Sequence, residues 1–468
     1  MSETFTIFTF LNIQKIKMRT PNFLYIETYG CTANKNNTEI MSALLSQAGL
    51  EKTSNPEIAD IIILNTCIVK GKTEDKIRNR IKELKKLGKP IIIAGCMPDV
   101  YGKELIDKNI FLLSTNHTTD VTTLIRKICE NKFNDKEQKE FLEKQNEIKL
   151  GNKIRENKTI GITQICGGCT GNCSFCQTKI AKGNIFSYPE EKILENIKKD
   201  IASGCKEIFI TSQDNSAYGL DKKERKLPDL LKKILSLDGK FKIRIGMMNV
   251  NNLFPILNEM LEIYKDEKIF KFLHLPLQSG SNKILKEMNR QYKAEDFLKI
   301  IKEFKKEIPD ITIETDVIAG YPKEQEEDFR ETIKILEKIK PDFFNISKFW
   351  PRKFTKAASL KPLPAATTIT RAKKLMAICK KNAKENNQKQ EGKIKKIIID
   401  KKLFGNVREI NFSEHPKNPT KEGFFDIYSG RDESFRLVLV KSDKNILNKT
   451  IRVRITKTEM LHLLGEVC

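Results

Sequence analysis

Apolar residues in this chain follow two alternating rhythms. Short unbroken runs such as FLYIETYG (23–30), IADIIILNT (58–66) and PIIIAG (90–95) read as strands. Between them, apolar residues return every third or fourth position. EIMSALLSQAGL (39–50) behaves this way, as does EDKIRNRIKELKKLGK (74–89), where Ile77, Ile81 and Leu84 fall on one helical face. Strands apolar on both faces, separated by helices, predict a parallel sheet covered on both sides. The fold expected here is an α/β, doubly wound parallel domain over residues 21–130.

After a charged stretch at 131–157, expected to be a linker, the same alternation resumes. Six strand candidates follow: TIGITQI (159–165), EIFITSQD (207–214), KIRIGMM (242–248), FLHLPLQS (272–279), ITIETDVIAG (311–320) and FFNISKFW (343–350). Helical segments separate them, the clearest at 324–338. This predicts a partial (βα)6 barrel over residues 158–385, with reactive groups just after the strands at their carboxyl ends. From 389 to 468 the rhythm changes once more. KIKKIIID, GFFDIYSGR, FRLVLVK and KTIRVRITK predict a small all-β barrel. Phe424, Phe425, Tyr428 and Phe435 lie among its basic residues, either to stack on bases or to fill the barrel.

Composition narrows the class. The 468 residues carry a formal net charge of +24, which suits a polyanionic partner such as RNA. Abundant lysine on solvated helix faces is the plainer alternative. The longest apolar runs are far too short to span a membrane. The first 20 residues read as a tail or a misassigned start, with Met18 a second candidate, and not as a signal peptide. A cytoplasmic protein, whose 11 cysteines stay reduced unless metal holds them, is expected.

Those cysteines are placed unevenly. Cys31, Cys67 and Cys96 each follow one strand of the first domain, as YGC, NTC and AGC. In a doubly wound sheet such positions meet at one edge, where ligands bind; three buried core cysteines are the alternative. Cys169, Cys173 and Cys176 crowd into CTGNCSFC after the first strand of the second domain. Three thiolates can hold a cubane iron–sulfur cluster and leave one iron open. With Cys166, four cysteines could instead close a zinc site. Cys129, Cys205 and Cys379 sit in apolar helical contexts, and Cys468 is terminal. NTCIVKGKTEDKI resembles half a P-loop, but Thr66 stands where that loop needs a glycine, five places before Gly71.

The spacing of Cys169, Cys173 and Cys176, with Phe175 before the last, resembles the radical S-adenosylmethionine (SAM) superfamily. CTGNCSFCQTKIAKG, LHLPLQSGSNKILKEMNR, TDVIAGYPKEQEEDF and YGC…NTCIVKGKTEDKI…AGCMP together resemble its methylthiotransferase family, over about residues 23–466. The family resemblance implies a C-terminal TRAM barrel that binds RNA. It also implies two 4Fe-4S clusters, one on Cys169, Cys173 and Cys176 and a second on Cys31, Cys67 and Cys96. SAM would chelate the open iron of the first cluster.

By the same resemblance, Ser212, Gln213 and Asp214 fall where SAM's amino group is bound, and Ile318, Gly320 and Glu324 where adenine is contacted. His274, Gln278 and Ser279 end the fourth strand, with His274 either a SAM-site residue or a satisfied core histidine. Arg352 falls in the family's proline-arginine-proline-glycine-threonine stretch, but Lys353 replaces the second proline and Phe354 the glycine.

NTCIVKGKTEDKI and CQTKIAKG look most like the archaeal and eukaryotic threonylcarbamoyladenosine tRNA methylthiotransferases. That implies conversion of N6-threonylcarbamoyladenosine at position 37 of tRNA into its 2-methylthio derivative, with Lys and Thr of KGKTE facing either substrate or solvent. A sister activity on isopentenyladenosine tRNA or a ribosomal-protein aspartate is the alternative within the class. A non-catalytic, metal-containing RNA-binding protein is the alternative outside it. The expected partners are the tRNA anticodon loop, an electron-donor protein and a sulfur source, with no membrane and a monomeric chain.

Overall fold

The computed structural model describes residues 21–69, 71–130, 132–403 and 426–468. The 1–20 tail, Lys70, Phe424 and Phe425 therefore lie outside the described residues. Two compact units emerge. The first comprises residues up to Ile154 together with Cys176–Asn184; the second comprises Arg155–Phe175 and Ile185–Cys468.

The first unit is built on strands β1 (Phe23–Thr28), β2 (Glu51–Lys52), β3 (Ile61–Thr66), β4 (Ile91–Gly95) and β5 (Ile110–Ser114). They pair in parallel in the order β2-β1-β3-β4-β5. Helices α1 (Thr32–Gln47), α2 (Gly71–Lys85), α3 (Cys96–Leu105), α4 (Val121–Cys129), α5 (Asp135–Glu140) and α6 (Thr178–Lys182) complete the unit. The continuous apolar character of β3 is explained by its place. Ile61, Ile62, Ile63 and Leu64 are all 0% exposed, with Ile62 and Leu64 in one core cluster and Ile61 and Ile63 in the other. Each such side chain contributes about 1.5–3 kcal/mol by leaving water.

The charged stretch read as a linker is instead largely committed to this unit. Gln138 donates to the Leu112 carbonyl and accepts from its amide, both at 2.9 Å, satisfying the free edge of β5. Phe141 joins the core beside Phe111 and Leu113, and Lys149 is buried. Charge at the intervening positions hid these few anchoring residues from the periodicity.

In the second unit, β6 (Ile160–Gln164) is followed by the short pair β7 (Cys166–Gly167) and β8 (Phe186–Ser187). Strands β9 (Glu207–Thr211), β10 (Lys242–Ile245), β11 (Phe272–His274), β12 (Thr312–Ala319) and β13 (Phe343–Lys348) complete the series. All six long strands run parallel in sequence order, as two three-stranded sheets. A parallel bridge from Ile243 to Ile269 joins the sheets at β10. The expected six-stranded partial barrel is thus present, with α7 (Glu190–Ala202), α8 (Leu227–Leu235), α9 (Val250–Leu253), α10 (Leu257–Lys265), α11 (Asn282–Glu287), α12 (Ala294–Glu307), α13 (Glu326–Ile339) and α14 (Ala365–Gln388) around it.

A closed five-stranded barrel follows, formed by β14 (Ile394–Leu403), β15 (Asp426–Arg431), β16 (Leu437–Ser442), β17 (Thr450–Thr458) and β18 (Leu463–Val467). This is the small all-β barrel expected of the segment, and it is consistent with a TRAM domain. Tyr428 is fully buried in its core. Phe435 does neither thing expected of it. Its ring packs outside the small barrel, 5.1 Å from Phe270 and 4.9 Å from Phe272 between ring centroids, with the Arg244 guanidinium 5.7 Å away. It docks the small barrel on the six-stranded one, and the buried Arg436–Asp342 pair at 3.4 Å reinforces that contact.

Candidate functional site

Three adjacent strands of the first unit end in the three separated cysteines. Cys31 caps α1 just beyond β1, Cys67 follows β3, and Cys96 opens α3 after β4. The backbone is shaped to let them approach. Gly30 has φ 111°, and a Cβ there would stand 2.6 Å from the Cys67 Cβ and 3.0 Å from its sulfur. Gly95, at φ 89°, could not carry a Cβ either, because it would meet the Asn65 side chain at 2.5 Å. Both conformations favour glycine.

Buried amides tie the strand ends together. Asn34 donates to the carbonyls of Tyr29 and Thr66, each at 2.8 Å, and Asn65 donates to the Asn34 carbonyl at 2.8 Å. The three thiols interact electrostatically with one another. Burial pushes the Cys67 thiol up, and pushes Cys96 up to about 12. Metal binding must therefore release their protons on loading.

Two buried cations, Lys182 and Lys149, interact electrostatically with this edge. Lys182, the last residue of α6, is 8% exposed. Its electrostatic neighbours are Cys96, Cys31, Asp99 and Cys67. Helix α6 is held there by Ala181, which packs in the core with Cys96 and Met97. Gly71, Lys72 and Thr73, the described residues from KGKT, begin α2; Lys72 lines a surface pocket with Tyr29, Asp75, Lys76 and Arg80.

In the second unit, Cys169 and Cys173 curl round Gly171. A Cβ at Gly171 would lie 3.4 Å from one sulfur and 3.6 Å from the other, and its amide donates to the Cys169 sulfur at 3.3 Å. The loop is pinned beneath. Ser174 donates to the Glu287 carbonyl and bonds the Tyr321 hydroxyl, both at 2.8 Å. Phe175 packs against Ile284, Met288, Ile318, Tyr321 and Ala357. Cys176 follows directly. Cys166 differs in kind, being buried on β7 with its thiol pushed up to about 12 by that burial.

The residues expected to contact SAM separate into two groups. The Ser212 hydroxyl is buried beside the Cys166 thiol, and Gln213 next to it in sequence is half-buried. Asp214 is already engaged. It accepts from the Ser216 hydroxyl at 2.5 Å, the Asn249 amide at 3.0 Å and the Asn252 side chain at 2.7 Å. His274 ends β11 with its Nε2 2.9 Å from an Asp316 carboxylate oxygen. Burial opposes its charge, but Asp316 and Glu314 outweigh that and raise its pKa.

Gln278 adopts φ 65° and bridges to β12, while Ser279 is fully buried beside Thr332. Ile318 packs under the cysteine loop. Gly320 adopts φ 75° against Thr368, and its amide donates to Glu324 at 3.1 Å. The Glu324 carboxylate is itself held by Arg371 at 2.6 Å.

Sequence reasoning passed over Arg290, which closes the motif LHLPLQSGSNKILKEMNR. Its guanidinium donates to the Cys173 sulfur at 3.1 Å and to the Asn249 side chain at 2.6 Å. Only the end of that motif hinted at it, since arginine in a polar turn carries no spacing signal.

The donor sets fit iron–sulfur chemistry. Among the described residues no three His, Cys, Asp or Glu side chains close on a single ion. A cubane spreads its thiolate ligands over separate irons, and three thiols leave one iron free.

The comparisons agree with this architecture. The Radical SAM superfamily matches residues 163–336, and the family described as uncharacterized protein family UPF0004 matches residues 24–113. A solved structure of a radical S-adenosylmethionine methyltransferase, TsrM, from Kitasatospora setae shares the fold. Its TM-score is 0.53 at 12% identity, covering 72% of this chain and 75% of that one. The class is therefore a radical SAM enzyme, which implies SAM and a 4Fe-4S cluster.

Curated relatives are closer still. A probable threonylcarbamoyladenosine tRNA methylthiotransferase from Pyrococcus abyssi is 39% identical over 381 residues, covering 80% of this chain and 88% of the relative. One from Archaeoglobus fulgidus is 37% identical over 376 residues, with the same coverage. The human threonylcarbamoyladenosine tRNA methylthiotransferase is 32% identical over 455 residues, covering 93% of this chain and 77% of the relative. This chain belongs to the threonylcarbamoyladenosine tRNA methylthiotransferase family.

Proposed function

We propose that the protein converts N6-threonylcarbamoyladenosine at position 37 of tRNA into 2-methylthio-N6-threonylcarbamoyladenosine. SAM and two 4Fe-4S clusters would serve it, one on Cys169, Cys173 and Cys176 and a second on Cys31, Cys67 and Cys96. The observation that carries this reading is the second cysteine set. A chain that only cleaved SAM has no use for three further thiols gathered at a sheet edge.

When bound, the clusters and SAM supply radical generation and sulfur delivery; the chain supplies placement. Arg290 holds the Cys173 sulfur by a charge-assisted hydrogen bond and fixes the loop against Asn249. Ser212, whose buried hydroxyl lies beside Cys166, offers a hydrogen bond toward SAM. His274, held by Asp316, presents a second polar group at a neighbouring strand end. Asp214 and Glu324 act one step back, ordering the turns that bear such groups. The TRAM-type barrel and the +24 net charge suit binding of the tRNA backbone.

We place the reaction in the cytoplasm, with an electron-donor protein and a sulfur source. Among the described residues no helix is long and apolar enough to cross a membrane.

The test is nucleoside analysis of tRNA bearing threonylcarbamoyladenosine after incubation with reconstituted protein, SAM, reductant and sulfide. A methylthio product at that nucleoside is expected. Modification of isopentenyladenosine tRNA alone, or SAM cleavage with no tRNA product under any supply of sulfide, would overturn the assignment.

A further inference from the structure

Two exposed aromatic rings stand on the segment that packs against the triple-cysteine loop. Trp350, the chain's one tryptophan, is 60% exposed, and Phe354 is 65% exposed. The segment carrying them is firmly held. Phe349, Ala357 and Leu360 pack in the cluster that contains Phe175 and Ile318. The Ala357 amide donates to the Ser174 carbonyl at 2.8 Å, and the Thr355 hydroxyl donates to the Arg352 carbonyl at 2.7 Å. These rings are therefore presented on an ordered rim just beyond β13, next to the cysteine loop.

Phe354 also sits where the fold gives it no reward. Its φ is 65°, a left-handed conformation that a bulky residue adopts at a cost. Its closest ring partner is the Lys353 ammonium, 5.3 Å from the centroid. Glycine would hold this backbone freely, and a buried ring would explain the cost; an exposed ring does not.

The electrostatic setting names the partner. Lys348, Lys353, Lys356 and Lys361 are all exposed on this stretch. No acidic residue occurs between Asp342 and Glu385. Two exposed rings on a lysine-rich stretch that carries no acidic residue of its own fit unpaired bases stacking on aromatics while the phosphates meet cations. An apolar protein partner would gain nothing from that field.

We propose that Trp350 and Phe354 form a stacking platform for unpaired bases of the substrate RNA loop, at the rim of the radical SAM site. The platform rests on the reading that tRNA is the substrate. It predicts recognition of a single-stranded loop over a duplex, independent of the chemistry.

The chain carries its own probe, since Trp350 is its sole indole. Holoprotein would be titrated with a tRNA anticodon stem-loop, following Trp350 emission and, separately, retention of labelled RNA on a filter. A saturable change in emission is expected, absent with a duplex of the same length. Phe354→Gly, which relieves the backbone, should keep the thermal midpoint at or above that of the unaltered protein and weaken stem-loop binding at least fivefold. Trp350→Ala should weaken it similarly. Stem-loop retention with unchanged Trp350 emission, or unaltered affinity in Phe354→Gly, would overturn the platform while leaving the tRNA reading in place. No retention of any RNA by the holoprotein would overturn both.

Discussion

Cys31, Cys67 and Cys96 come from three strand ends, whereas Cys169, Cys173 and Cys176 occupy a single loop of eight residues. The first set exists only because a parallel sheet brings β1, β3 and β4 side by side with their carboxyl ends aligned. Its backbone is crowded, with Gly30 against Cys67 and Gly95 against Asn65. The second set is local and looser, with Gly171 in ordinary contact with its two sulfurs. A site assembled by topology depends on every strand being in register. A site assembled by a loop depends on the anchors beneath it, here Ser174, Phe175 and Arg290.

Removing each set of thiols separates the two sites most sharply. Cys169, Cys173 and Cys176 changed together to alanine should abolish SAM cleavage, read as 5′-deoxyadenosine. The same change at Cys31, Cys67 and Cys96 should leave SAM cleavage measurable and abolish methylthio transfer.

Glycine substitutions come next. Gly30→Ala places a Cβ 2.6 Å from the Cys67 Cβ in a left-handed backbone, so the second cluster proposed on Cys31, Cys67 and Cys96 should fail to load while the loop cluster stays, read as iron content. Lys149→Met tests the electrostatics near Cys96. Lys149 is fully buried, and burial lowers its pKa from 10.5 to about 8. Above about pH 10.5 the amine is neutral whether the chain is folded or not. As pH falls toward 8 the unfolded chain takes up the proton first, so stability is lost. By pH 7 the full cost, on the order of 3 kcal/mol, is present. Lys149→Met should therefore raise the melting temperature at pH 7, with a gain that shrinks as pH approaches 10.5.

Arg290→Met removes the donor to Cys173, and SAM cleavage should fall about 10–100-fold with iron content nearly unchanged. Gly171→Ala should do least. Its added methyl meets both sulfurs at ordinary contact distance, and activity within about twofold of the unaltered protein is expected.

The architecture was legible where apolar runs were long. The Ile-rich β3 and β4 could be nothing but interior strands, and their terminal cysteines followed them to one edge. The loop cysteines were legible from spacing alone. What escaped depended on single anchoring residues in polar surroundings. Gln138, Phe141 and Lys149 commit a charged stretch to the first unit, and Phe435 leaves its own barrel to dock on another. Arg290 reaches Cys173 only after α11 and the following turn are in place. Composition and periodicity average over such residues, so they become visible only through their contacts.

Iron content tests the central claim of two separate centres most directly. Each 4Fe-4S cluster brings four irons, so anaerobically reconstituted protein should hold about eight per chain and each triple-alanine variant about four. A parent holding about four, with the Cys31, Cys67 and Cys96 variant unchanged from it, would contradict the account and leave the sheet-edge thiols without a cluster.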